Sequence, residues 1–166
     1  MVLFIAYSFR KVPRAASGWR FGVCAIIAFV HDVLVGVGIF SLLGHFAHIE
    51  IDSLFVTAIL TVIGFSVHDT IVVFDRIREN LRRQIGVSFG QVVNDSILQT
   101  LVRSLNTSLT AILVLFTLLI FGGESVKWFI VALLIGILSG TYSSIFNAAP
   151  MLVAWDEIIR KRIKRP

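Results

Sequence analysis

The sequence predicts an all-α membrane protein, a bundle of four complete transmembrane helices plus the end of a fifth, with a cytoplasmic amphipathic segment. Three observations lead there. Of the 166 residues 57% are hydrophobic and only 15% charged, with a mean hydropathy of +0.90, a balance that would leave a water-soluble globule with too much exposed apolar surface. The apolar residues fall into long blocks, and about 20 apolar residues in a helix cross a hydrocarbon core about 30 Å thick. Charges gather at the block ends and alternate in sign from one side to the other.

A helix satisfies its own backbone hydrogen bonds in lipid, so each block reads as a spanning helix. The chain forms one domain, residues 1–166, with spans at about 21–43, 54–74, 97–121 and 126–155 and a basic tail at 156–166. Met1 to Phe9 would cover only about 13 Å at helical rise, so 1–9 reads as the remainder of a longer helix whose front part lies upstream. It has neither a positive leader nor a small-residue cleavage site, which argues against a signal peptide. The third span has its apolar core at Leu105 to Phe121 and a start as early as Ile97. Between the second and third spans, the stretch from Arg76 to Ser104 is too polar to cross, and Gly86 and Gly90 divide it. Ser88 and Gln91 have capping-box spacing and mark the start of a helix running on into the third span. In the last span Pro150 predicts a kink.

Arg10, Lys11, Arg14 and Arg20 precede the first full span, and His45, His48, Glu50 and Asp52 follow it. Arg76, Arg78, Arg82 and Arg83 follow the second, Glu124 and Lys127 the third, and five basic residues close the chain from Arg160 to Arg165. By the positive-inside rule the basic side is cytoplasmic, which places the C-terminus there. The net charge of +5 is thereby explained by topology rather than by nucleic acid. The single cysteine, Cys24, excludes an intrachain disulfide and reads as a small buried side chain.

Polar residues inside the spans are costly and point to function. Asp32 is near the middle of the first full span, flanked at four-residue steps by Ala28 and Gly36, which let another helix approach. A packing hydrogen bond and a part in proton handling are both consistent with it. Asp69 lies six residues before Asp75, about 9 Å inside the cytoplasmic boundary, on a face with Ala58, Val62, Ser66 and Val73. Arg103 enters from the same side to a matching depth, so an Asp69–Arg103 ion pair is expected. Burial disfavours a carboxylate charge and a guanidinium favours it, so such a pair has the physics of a proton relay. The alternative for Arg103 is a snorkelling anchor at the headgroups. Asn106, Thr107 and Thr110 continue its stripe, which must face protein or water.

His31–Asp32 and His68–Asp69 are poor metal sites, because adjacent helical residues point about 100° apart, and His45 with His48 lack further ligands. No phosphate loop, nucleophile elbow or HExxH motif occurs. No catalytic residue and no metal ligand is therefore assigned. Gly136, Gly140, Ser144 and Ala148 form a small-residue ridge suited to close helix packing, against this chain or a partner.

The run from Gly64 to Asn80, GFSVHDTIVVFDRIREN, closely resembles the signature of the SecF branch of the SecD/SecF family, within the resistance-nodulation-division superfamily. Ala28 to Asp32, His48 to Asp52, Arg103 to Ser108 and Phe121 to Gly123 agree in order, so the resemblance covers nearly the whole chain. It implies a multi-pass protein of the cell inner membrane that works with SecD beside the SecYEG channel. It would use the proton gradient, with no ATP or organic cofactor, to assist export of a translocating polypeptide. Its partners would then be SecD, SecYEG, that polypeptide and membrane lipid. The resemblance ties Asp69 and Arg103 to proton passage and matches Asp32 to a family His-Asp position; from their place on the polar stripe, Asn106 and Thr107 are, like Asp32, candidates for a proton or packing role. Full-length members carry an earlier helix, a periplasmic domain and a complete second helix ahead of the part seen here. Other readings are a small-molecule exporter of the same superfamily, a scaffold for SecD, and an intramembrane aspartyl protease built on Asp32 and Asp69. The differing depths of the two aspartates, and the absence of a Gly-x-Gly-Asp motif, argue against the protease.

Overall fold

The computed structural model describes residues 18–84 and 86–163, and the predicted partial helix at 1–9 lies outside them. Helix α1 covers Gly18–Ala47, α2 Ser53–Arg83, α3 Phe89–Phe121 and α4 Glu124–Ser143, and a π-helical turn at Ser144–Ala148 leads into α5, Ala149–Ile163. α1, α2, α3 and the continuous helix formed by α4, the π turn and α5 each exceed the predicted span, because polar turns continue the helix beyond the apolar block. The polar stretch after the second span is accordingly not a separate element. It consists of the last turns of α2 and the first turns of α3, joined by a short turn in which Gly86 takes φ +89°, a value that glycine adopts without steric cost. Ser88 caps α3 by accepting from the Gln91 amide at 3.4 Å, and Asp52 caps α2 through the Phe55 amide at 3.0 Å. α1, α2, α3 and the continuous helix from Glu124 to Lys161 are each long and apolar enough to cross a membrane.

Pro150 acts just ahead of itself. It has no amide to donate to the Phe146 carbonyl, and its ring crowds that oxygen. The chain widens into the π turn at Ser144–Ala148 instead of continuing as a regular α-helix.

The bundle interior is layered. At the basic end Phe21, Cys24, Ala28, Phe74, Phe89 and Leu152 form an apolar cluster, with the Phe21 and Phe74 rings edge to face at 5.1 Å. At the other end Phe40, Phe55, Ala58, Val62 and Leu133 form a second. Between them each long helix contributes buried polar groups: Asp32 from α1, Ser66, Asp69 and Thr70 from α2, Ser104 and Ser108 from α3, and Thr141, Ser143 and Ser144 from α4 and the π turn. Buried polar groups are tolerated when hydrogen-bonded, and here they bind one another across helices. Thr70 meets Ser144 at 2.9 Å and Ser108 meets Thr141 at 2.5 Å.

Small residues permit this crossing. Gly136 packs so closely on Val62 that any Cβ there would overlap the valine side chain, and a Cβ on Gly140 would come within 3.0 Å of Ser66 Cβ. The small-residue ridge therefore packs against α2 of its own chain. Gly36 is similarly close to Ile59.

Polar clamps tie the basic end together. Asn80 donates to Ser96 at 2.9 Å and to Gln99 at 3.0 Å, joining α2 to α3. Arg20 of α1 reaches Asp156 of α5 at 3.5 Å, and Arg160 holds the same carboxylate at 2.6 Å.

Candidate functional site

Asp69 belongs to the buried polar layer, only 6% exposed. The predicted face around it is inside, since Ala58, Val62, Ser66 and Val73 are all buried. Its Oδ1 accepts from the Ser104 hydroxyl at 2.7 Å, while Oδ2, also buried, has no hydrogen-bond partner among the described residues. An unpaired buried oxygen is expensive, so this carboxyl is poised to gain a proton or a donor.

The direct ion pair between Asp69 and Arg103 expected from sequence does not form. Among the described residues no cation lies within 4.0 Å of Asp69. The reason is azimuth rather than depth. Ser104 occupies the α3 position facing Asp69, and Arg103, one residue back and about 100° around the helix, sits on the exposed side. Its charge remains within electrostatic reach of the carboxyl. Asn106, Thr107 and Thr110 share the exposed face, with the Thr107 hydroxyl donating to the Arg103 carbonyl at 2.9 Å and that of Thr110 to the Asn106 carbonyl at 2.8 Å. Asn106 borders an otherwise mostly apolar groove of about 450 Å³ between α3 and α4, beside Leu105, Leu109, Leu138 and Tyr142.

Asp32 is 2% exposed and lies halfway along α1. Its Oδ2 accepts a hydrogen bond from the Ser66 hydroxyl, and Oδ1 contacts the Ser139 hydroxyl at 3.3 Å and His31 Nδ1 at 3.2 Å. No hydrogen bond joins Asp32 to Asp69 among the described residues, so they do not form the proton-sharing dyad of an aspartyl protease. Among the described residues no three His, Cys, Asp or Glu side chains gather in a metal-binding group.

Sequence reasoning missed the hydroxyls. Ser96, Thr100, Ser104 and Ser108 recur every four residues and all are buried, the same spacing that exposed the ridge in the last span. That period was the available signal for the face of α3 that meets Asp69.

Comparison with known proteins matches residues 14–158 to the family described as protein export membrane protein SecD/SecF, C-terminal. A protein translocase subunit SecF of Thermobaculum terrenum is 65% identical over 153 residues, 92% of this chain and 47% of the relative. One from Anaerolinea thermophila is 48% identical over 157 residues, 94% of this chain and 50% of the relative. The chain thus spans about half the length of these curated relatives. Among solved structures, SecDF in a super-membrane-facing form superposes with a TM-score of 0.86 at 39% identity, covering 97% of this chain and 20% of that one. SecDF from Thermus, a translocon-associated membrane protein, gives 0.83 at 40% identity over 94% of this chain and 20% of that one. With the family pattern running through all four long helices, and the fold shared with SecDF, the chain belongs to the SecD/SecF protein-export membrane protein family.

Proposed function

We propose that this chain is the membrane-embedded C-terminal half of a translocase subunit that couples the proton gradient to polypeptide export, together with a SecD-type partner and the Sec channel. The observation that carries the reading is Asp69, buried in the membrane-spanning bundle with one oxygen held by Ser104 and the other unpartnered among the described residues. The names of the relatives, protein translocase subunit SecF, supply the process. The chain acts as a transport component rather than an enzyme, with the proton gradient as its energy source and no organic cofactor. One elementary charge moving through 100 mV releases about 2.3 kcal/mol, enough to shift a helix-packing equilibrium about fiftyfold.

In this reading Arg103 and its polar stripe face the partner subunit or a hydrated path, which explains polar side chains on the outside of a membrane helix. A proton reaching Asp69 removes its charge, frees it from the field of Arg103 and changes how α2 and α3 pack. The end with Arg76, Arg78, Arg82, Arg83 and Arg160 faces the cytoplasm, with the protein resident in the inner membrane.

Asp69→Asn in the complete complex keeps the size of the side chain and removes its ionisable proton. Export into membrane vesicles is expected to fall to the level seen without a gradient, while gradient-independent export is retained. Full gradient stimulation in the variant would remove Asp69 from the mechanism.

A further inference from the structure

Asp32 is a second buried carboxyl in the membrane, and the Asp69 reading leaves it unused. Its setting is more than a packing bond. Ser66 of α2 and Ser139 of α4 hold it from two sides, and its Oδ1 also lies 3.2 Å from Nδ1 of His31. That imidazole is of a different kind from the hydroxyls: it is titratable, and its side chain is 42% exposed where Asp32 is sealed at 2%. His31 borders a groove of about 440 Å³ between α1 and α4, shared with Ser139 and Tyr142 among apolar Val35, Ile39 and Leu138. A sealed carboxyl is thus joined to the bundle surface through one imidazole.

The surroundings leave few other routes for charge. From α2 the group facing Asp32 is Ser66, and the titratable Asp69, three residues further on, is bonded to Ser104. From α4 it is Ser139, and Ser143 donates instead to the Ala28 carbonyl at 3.4 Å. Among the described residues His31 is the only charged or titratable side chain paired with Asp32. An ionised carboxylate in a membrane interior needs a countercharge or a proton, and His31 is placed to supply either.

We infer that Asp32 and His31 form a second proton-binding site, in which His31 carries the proton between the α1/α4 groove and the buried carboxyl. The imidazolium breaks its Nδ1–H bond as the proton forms an O–H bond to Asp32 Oδ1, leaving a neutral carboxylic acid and a neutral imidazole protonated at Nε2. The reverse step returns the proton, and no other reactant is needed. Ser66, which holds Asp32, and Asp69 lie one helical turn apart on α2, so both carboxyls are linked to the same helix.

The test is infrared difference spectroscopy of the complete complex in lipid vesicles between acid and alkaline pH, reading the carbonyl stretch of protonated carboxylic acids. Asp32→Asn is expected to lose one titrating band, and that band is expected to persist in Asp69→Asn, so the two carboxyls are read separately. His31→Gln keeps the carboxyl and its hydrogen bond but cannot relay, and its Asp32 band is expected to exchange hydrogen for deuterium at least about tenfold more slowly. An Asp32→Asn spectrum that keeps every titrating band overturns the site. So does parent-rate exchange in His31→Gln, which also decides the matter if Asp32→Asn fails to assemble. Loss of the Asp69 role in export would leave both readouts intact.

Discussion

Gly136→Val is expected to separate α4 from α2 and destabilise the bundle by at least about 1–3 kcal/mol, the usual cost of overpacking a closed interface. The contact on the other side is a branched side chain, Val62, fixed in a buried cluster with Phe55 and Ala58, so it cannot swing aside as a flexible chain end would. Moving the helices apart would also stretch the bonds that depend on their approach, Ser144 to the Ser66 carbonyl and Thr70 to Ser144. Thermal unfolding of the purified complex in detergent measures the loss. Val62→Ala in the same chain is expected to recover part of it by making room. Gly38→Val is the control, since a Cβ at Gly38 meets nothing within 4 Å, and an equal loss from both valines would contradict the packing described.

Ser104→Val is expected to impair gradient-driven export severely with little change in volume. It removes the hydroxyl bonded to Asp69 and leaves both carboxyl oxygens buried without a donor among the described residues, a penalty of about 1–3 kcal/mol against the charged form. Ser104→Thr keeps the hydroxyl and is expected to keep most of the activity. Arg103→Gln provides the contrast. On the exposed face it should change bundle stability by no more than about 0.5 kcal/mol, as surface substitutions do, while still reducing export. An export assay run beside an unfolding assay separates the two residues. Wild-type export in Ser104→Val would contradict the part given to this hydroxyl.

The elements were legible from sequence because lipid imposes length and apolarity, which composition reports directly. The ridge Gly136–Gly140–Ser144–Ala148 and the Ser88 cap were readable for a related reason, a fixed spacing tied to a fixed geometry. Structure added that the ridge packs on α2. The Asp69–Arg103 pair shows where such reading stops. Counting residues from the helix ends gives depth, and the depths agree, but pairing also requires the right angle around each axis. Angle is set by which face packs inward, and the four-residue recurrence of Ser96, Thr100, Ser104 and Ser108 carried that information. Asp32 was visible as an anomaly, yet the serines that hold it come from 34 and 107 positions away, and no local pattern specifies them. Pro150 announced an irregularity in the last helix, and the π turn at Ser144–Ala148 lies just ahead of it, where its missing amide would have bonded.

The central claim is that a proton enters and leaves the buried carboxyl of Asp69. Its most direct test is proton movement itself, in the complete complex reconstituted into liposomes with a pH-sensitive dye inside and a potential imposed across the membrane. The account predicts inward proton flux that falls at least about tenfold in Asp69→Asn, as expected when a positioned proton-transfer group is removed. Flux equal to that of the parent protein in the variant would contradict it.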